Sequence, residues 1–179
     1  MPSAAEAIET PRLLLRRPRG EDVDAMFARY TSDPDVTRLV GWPRHHTVDD
    51  TRGFLSFSDG EWAKSPAGPY LMFARDDGRL LGSTGLVFET PYRAATGYVL
   101  AKDEWGRGYA TEGLDAMVGV ARNTGVRRLY ALCHSEHPAS ARVLEKCHFA
   151  QEGVLRGYAE FPNLTPVQPH DVRCYAILL

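Results

Sequence analysis

Two periodicities alternate along this chain, and the points where one gives way to the other mark its elements. Leu13, Leu14 and Leu15 form a short apolar run fenced by Arg12, Arg16, Pro11 and Pro18, which predicts a strand. Val23, Met26, Phe27 and Tyr30 then fall at i, i+3, i+4 and i+7, one face of a helix, with Glu21 and Asp22 suited to its N-terminus. Asp33-Pro34 is expected to end that helix. Thr47-Val48-Asp49-Asp50 has capping-box spacing, with Asp in the Glu position, and opens a second helix through Phe54, Leu55 and Trp62. Ser65 to Pro69 breaks it.

Beyond this point the period shortens. Tyr70 to Ala74 and Leu80 to Phe88 predict strands joined at Asp77-Gly78, a strong hairpin signal. Thr90 to Arg93 turns into a third, Thr96 to Leu100, so these strands are expected to be antiparallel neighbours. A glycine-rich stretch, Trp105 to Glu112, leads into a helix with Leu114, Met117, Val118 and Ala121 on its apolar stripe and Gly125 beyond its end. Arg128 to His134 is a strand. Pro138 to Cys147 is a helix with Ser140, Val143, Leu144 and Cys147 on one face. Two last strands, Gln151 to Tyr158 and Asp171 to Leu178, flank a proline-rich loop from Phe161 to Pro169. No long linker or repeat interrupts the order, which predicts one α+β domain over residues 1–179.

The glycine loop between strand and helix is the most specific chemical signal. Alternating glycines bend the backbone tightly, and the helix that follows offers free N–H groups and a positive dipole end, which together suit a phosphate or pyrophosphate. Arg107 adds a charge. A P-loop would need Gly-Lys-Ser/Thr, and Gly108-Tyr109-Ala110 does not supply it. Gly106 and Gly108 fit a dinucleotide fingerprint, but Thr111 stands at its third glycine, Glu136 comes late for the ribose acid, and the preceding hairpins do not fit a doubly wound sheet.

Composition narrows the setting. Of 179 residues, 44% are hydrophobic and 25% charged, with 21 basic residues against 23 acidic for a net charge of −2. Nucleic-acid binders usually carry a strong positive excess, so nucleic acid is disfavoured as a main partner. No apolar run nears the ~20 residues of a membrane span, and Met1 to Glu9 lacks the basic and apolar regions of a secretory signal. Cys133, Cys147 and Cys174 are odd in number and form no CxxC pair, which predicts reduced cysteines in a cytoplasmic protein. Adjacent His45 and His46 point in different directions with no ligand cluster beside them, so no metal site is expected.

Gly106-Arg107-Gly108-Tyr109-Ala110-Thr111-Glu112 resembles the acetyl-CoA pyrophosphate loop of the GNAT superfamily of N-acetyltransferases. The tryptophan at 105 resembles the branch containing the ribosomal-protein N-terminal (alanine/serine) acetyltransferases. Leu81 to Leu86 and Gly97 to Leu100 resemble that branch's third and fourth strands, and Ser140 to Lys146 its CoA-arm helix. Asp171 to Leu179 resembles its closing strand. The resemblance spans about residues 9–179 and implies a mixed, mostly antiparallel sheet of about seven strands, splayed between the fourth and fifth and flanked by about four helices.

The resemblance further implies acetyl-CoA as donor and a primary amine as acceptor, a protein or peptide N-terminus or a small molecule, with a homodimer as the assembly. Pantetheine would pair with backbone at Val99, Leu100 and Ala101. The pyrophosphate would sit on N–H groups from Gly106 to Thr111, with Trp105, His137 and Ser140 beside the cofactor. Trp42, His45 and Tyr98 would line the acceptor entrance. Ser140 is the candidate acid for the departing thiolate. For the base, Glu89, Tyr98, His134, Glu136, Glu160 and Asp171 are available, with Glu89 and Tyr98 carried forward.

Two departures stand out: His137 where the family has Asn, and His148 where it has Gly. They motivate an alternative, a non-catalytic acyl-CoA sensor of the same fold; GxG alone motivates a nucleotide oxidoreductase.

Overall fold

The structure is a computed structural model that describes residues 3–179. Of the Met1–Glu9 segment expected to carry no leader, Met1 and Pro2 lie outside the described residues. The strands are β1 (Ala7–Glu9), β2 (Leu13–Arg16), β3 (Pro69–Ala74), β4 (Leu80–Thr90), β5 (Arg93–Leu100), β6 (Arg128–His134), β7 (Ala150–Glu160) and β8 (Pro169–Leu178). They form one 8-stranded sheet in the order β1-β2-β3-β4-β5-β6-β8-β7. Every neighbouring pair is antiparallel except β5–β6. This is the expected mixed sheet with one strand more. Ala7–Glu9 is too short to show a period and becomes a strand by pairing with β2.

The helices are α1 (Val23–Met26), α2 (Pro34–Thr37), α3 (Val48–Lys64), α4 (Tyr109–Asn123) and α5 (Pro138–Lys146). α1 continues as a π turn over Phe27–Thr31. There the Ser32 hydroxyl donates to the Phe27 carbonyl at 2.7 Å and Thr31 Oγ1 to Met26 O at 3.4 Å, side-chain bonds that compete with the regular ladder. Asp33-Pro34, expected as a stop, is also a start. Asp33 Oδ1 accepts the amides of Asp35 (2.8 Å) and Val36 (3.2 Å), and Pro34 takes the first position of α2. At α3 the capping box forms as expected: Thr47 Oγ1 accepts the Asp50 amide, and Asp50 Oδ2 accepts the Thr47 amide.

α4 lays Leu114, Met117 and Ala121 against Leu13, Leu15, Met72 and Leu81 of the sheet, all fully or almost fully buried. Each such large apolar side chain contributes roughly 1.5–3 kcal/mol by leaving water. Met26, Tyr30, Val36 and Phe54, from the helices between β2 and β3, close over Leu71 and Leu80 in a second cluster. α5 ends in a Schellman turn: the Phe149 amide donates to Leu144 O at 3.0 Å and the His148 amide to Glu145 O at 3.0 Å.

His148 holds the left-handed position of that turn, at φ 64°. Left-handed backbone costs a side-chain-bearing residue about 1–2 kcal/mol, partly offset in a glycine variant by chain entropy. His148→Gly is therefore expected to raise the melting temperature by about 1–2 °C. A fall on thermal denaturation would show that the imidazole makes a stabilising contact that outweighs the strain.

Candidate active site

β5 and β6 pair only through Arg93–Arg128, Ala94–Leu129 and Ala95–Tyr130. Beyond Tyr130, β6 keeps its ladder with β8 as far as His134, while β5 stays with β4. Thr84 Oγ1 donates to Gly97 O and Thr96 Oγ1 to Gly85 O, both at 2.8 Å, which fastens the diverging half of β5 to β4. The gap opens a cleft of about 1070 Å³, lined on the sheet side by Tyr98, Val99, Leu100 and Cys133, and by His137 and Ser140 of the α5 segment.

One end of the cleft is the glycine loop. Gly106 and Gly108 adopt φ 75° and 82°, conformations open to glycine, and α4 starts at Tyr109. The amides of residues 106–111 have no acceptor among the described residues. A run of free N–H groups at a helix N-terminus is the cradle an anion needs. Trp105 and Gly106 line the main cleft. Gly108 and Thr111 line an adjoining hollow of about 460 Å³ with Arg12 and Lys146. The Trp105 indole N–H donates to Leu100 O at 2.9 Å and folds the loop back on β5.

The expected cofactor residues divide here. The Ala101 amide is given to Leu81 O and its carbonyl accepts the Glu104 amide, so its N–H is committed within the chain. Tyr109 is buried, its ring under the Arg12 guanidinium at 4.6 Å, and offers the cleft its backbone only.

At the middle of the cleft, Tyr98 Oη lies 2.8 Å from Ser140 O and 2.9 Å from Ser140 Oγ. Oη donates to the carbonyl and accepts from the serine hydroxyl. Burial raises the Tyr98 pKa well above the ordinary phenol range, against the Ser140 hydrogen bond that lowers it, so the phenol stays protonated at neutral pH. Burial, followed by the charge on His134, pushes His137 below the usual imidazole value. It stands in the cleft as a neutral group able to donate and accept.

Other expected residues lie elsewhere. Glu89 is not in the cleft wall; it pairs with Arg93 Nε at 2.6 Å and accepts the Tyr130 hydroxyl. Trp42 lines the cleft, but His45 is set behind it, ring centroids 5.3 Å apart. His45 Nδ1 meets Thr51 Oγ1 at 2.8 Å, which anchors the loop to α3. Among the described residues, no group of three or more His, Cys, Asp or Glu is placed to hold a metal ion. Also among them, no helix is long and apolar enough to cross a membrane, and Cys133, Cys147 and Cys174 are free thiols.

Sequence reasoning missed the clamps that hold the site. Glu112 Oε1 accepts the Thr10 hydroxyl at 2.6 Å and the Arg12 amide at 2.8 Å, while Oε2 takes Arg12 Nε at 2.6 Å. Arg12 Nη1 continues to the Arg107 carbonyl at 2.9 Å, inside the glycine loop. Glu104, 2% exposed, gathers Arg79 at 2.8 Å, Arg29 at 3.1 Å and Arg107 at 3.6 Å. Across the cleft mouth, Asn163 Nδ2 donates to Thr37 O (2.7 Å) and Trp42 O (2.9 Å), and Oδ1 accepts the Arg44 amide (2.7 Å). Apart from Glu104 and Arg107, three residues apart, these partners lie far apart in sequence, and no local spacing announces them.

Residues 12–150 match the family model described as "Acetyltransferase (GNAT) domain". The chain belongs to the GNAT acetyltransferase family. It is an acetyl-CoA-dependent acyltransferase. Curated relatives include the Bacillus subtilis (strain 168) protein named uncharacterized N-acetyltransferase YoaA, 29% identical over 174 residues and covering 96% of each chain. A GNAT-family acetyltransferase from Bacillus anthracis superposes with a TM-score of 0.83 at 26% identity, covering 96% of this chain and 98% of that one. The ribosomal L7/L12 alpha-N-protein acetyltransferase RimL, solved with coenzyme A, gives 0.85 at 24% identity, covering 97% and 98%.

The oxidoreductase reading falls with the antiparallel sheet and the family match, and the sensor reading is not favoured by relatives that carry N-acetyltransferase names. The chain's own residues fit acetyl-CoA: free amides over residues 106–111 for its phosphates, and a β5 edge left unpaired by β6 for its arm.

Burial raises the Glu112 carboxyl, but the bonds from Thr10 and Arg12 together outweigh it, and the group titrates below the usual range. Its folded pKa is lower than the unfolded value of about 4.3, so its stabilisation is complete above that pH and is lost as pH falls through the folded value. Glu112→Gln is expected to cost about 1–3 kcal/mol at neutral pH and to flatten the acid limb of a Tm–pH curve. Superimposable curves for variant and wild type would show that the clamp contributes nothing.

Proposed function

We propose that the protein transfers the acetyl group of acetyl-CoA to a primary amine, with Ser140 as proton donor and Tyr98 as the group that holds it. The observation that carries this reading is the 2.9 Å contact between the two hydroxyls, in a cleft that runs on to the glycine loop. Bound acetyl-CoA supplies an activated thioester carbonyl. The free amides of residues 106–111, with Arg107 and Lys146 nearby, bind the phosphates; the β5 edge at Val99 and Leu100 orients the arm.

Ser140 gives its proton to the departing sulfur. Tyr98 Oη then turns its own hydrogen from the Ser140 carbonyl toward the Oγ left behind. The proton lost by the attacking nitrogen restores the pair, so the overall proton count is unchanged.

The cleft wall favours an acceptor that is already partly neutral. Glu89 is tied to Arg93 and Tyr130, outside it, the half-buried Tyr98 is a poor base, and the one unpaired carboxylate on the wall, Glu136, stands exposed ahead of α5. An α-amine, with a pKa near 8, is roughly a tenth neutral at pH 7, whereas a lysine is neutral in about one molecule in a few thousand. A protein or peptide N-terminus, or a small amine of similar basicity, fits best. RimL is named for acetylating a protein N-terminus, which supports the same class. The proposal keeps a cytoplasmic setting and a homodimer, supported by free cysteines and by the branch resemblance.

A thiol-release assay over an amine panel tests the reading, with free CoA above the hydrolysis background as the expected result. Ser140→Ala should lower turnover by about 100-fold or more, the usual weight of a general acid, and Tyr98→Phe by less. Both should leave the acetyl-CoA-induced rise in melting temperature intact. Unchanged turnover in Ser140→Ala would remove its role as acid.

A further inference from the structure

The charged residues lining the cleft are Asp35, Arg38, Lys102 and Glu136. Two of them neutralise each other: Lys102 Nζ lies 2.5 Å from Asp35 Oδ2. The other two are left over. Neither the Arg38 guanidinium nor the Glu136 carboxylate has a hydrogen-bond or ion-pair partner among the described residues. This is unusual here, because the other arginines near the cofactor loop, Arg12, Arg29, Arg79 and Arg107, all hold carboxylates.

The backbone that carries Arg38 is not loose. Its neighbour Thr37 is fully buried, Thr37 Oγ1 donates to Asp33 O at 2.7 Å, and Thr37 O and Trp42 O are both held by Asn163. The held backbone places the stem of Arg38 at the cleft wall, and its exposed, uncommitted guanidinium carries a fork that matches carboxylate or phosphate. Glu136 stands just ahead of α5, the helix that bears Ser140, where an amine must arrive.

Resting on the acetyl-transfer reading above, we propose that the acceptor is an amine that also carries an anionic group, a carboxylate or a phosphate. Arg38 holds the anion, and Glu136 attracts the ammonium before it loses its proton beside Ser140. The charge pattern selects against amines that carry a second positive group where the anion would sit, because these would meet the unpaired Arg38.

The test compares kcat/KM by thiol release, expressed per neutral amine, for amines of similar size that differ in charge. The pairs are seryl-aspartyl against seryl-asparaginyl and seryl-lysyl peptide amides, alanine against alaninamide, and phosphoethanolamine against ethanolamine. The wild type should favour the anionic member of at least one pair by about tenfold, the scale of one charge-assisted hydrogen bond. Which pair responds separates a peptide acid, a free amino acid and a phosphate.

Arg38→Ala should collapse that ratio toward one, and Arg38→Glu should invert it in favour of the seryl-lysyl peptide. An unaltered acetyl-CoA melting shift in both variants shows that they are folded. Turnover of the panel without charge preference, or a ratio that survives Arg38→Ala, overturns the Arg38 assignment and leaves acetyl transfer standing. Absence of CoA release from every amine overturns acetyl transfer itself, and this inference with it.

Discussion

Past Ala95 and Tyr130, β5 and β6 stop exchanging backbone hydrogen bonds, and each keeps its other neighbour. A parallel pair abandoned partway leaves one strand edge with unpaired N–H and C=O groups and a wedge of space beside it. In a closed core that would be costly, since buried backbone groups need partners. Here the wedge is open to a ligand, and the cost becomes binding capacity. The cleft, the access it gives to the half-buried Tyr98, the entry of α5 and the placement of the glycine loop at the end of β5 all follow from that parting.

A split sheet must be held from outside the split. Two carboxylates supply much of that hold. Glu104 lies nearly buried among Arg29, Arg79 and Arg107, and so ties the π turn after α1, the β3–β4 turn and the glycine loop to the end of β5. Glu112 binds α4 to the start of β2 through Thr10 and Arg12. A buried charge with several donors is a poor source of net stability but a strong specifier of geometry, because any rearrangement strands it. The loop's amides can therefore remain free of partners without the loop collapsing onto itself. The near-neutral net charge of −2 agrees with this economy: bound as proposed, phosphates would be met by backbone N–H groups and a few cations rather than by a basic surface.

The main strands and the two helices of the cofactor half were legible because each carries a clean period and a strong terminator. Asp77-Gly78 marked one hairpin, Gly125 one helix end, and Thr47–Asp50 one helix start. The glycine loop was legible because its chemistry is local: alternating glycines ahead of a helix are enough. Ala7–Glu9 was not, since three residues have no period until β2 templates them. Asp33-Pro34 was ambiguous, as the same pair that stops one helix caps the next. The meeting of Tyr98 with Ser140 was out of reach, because 42 residues separate them and only the parting of β5 from β6 brings them together. Glu89 was a reasonable base by type, yet the β4–β5 hairpin turns it toward Arg93 and Tyr130 instead.

The titration states inside the cleft bear on which nitrogen it serves. Burial moves Tyr98 up and His137 down, so at neutral pH both are uncharged and both can share protons rather than seize them. A site that had to strip a proton from a lysine would need a base whose affinity approaches the substrate's own, with nearby charge to sustain it. This cleft invests its charges differently. Asp35 and Lys102 cancel, while Arg38 and Glu136 stand uncommitted at the wall. On the proposed reading, charge placed there would sort and orient what enters, and the proton transfer would be left to an amine that gives up its proton readily. Specificity by charge at the mouth and neutrality at the reacting centre are compatible because Asn163 fixes the segment bearing Arg38 independently of the strands that bear Tyr98.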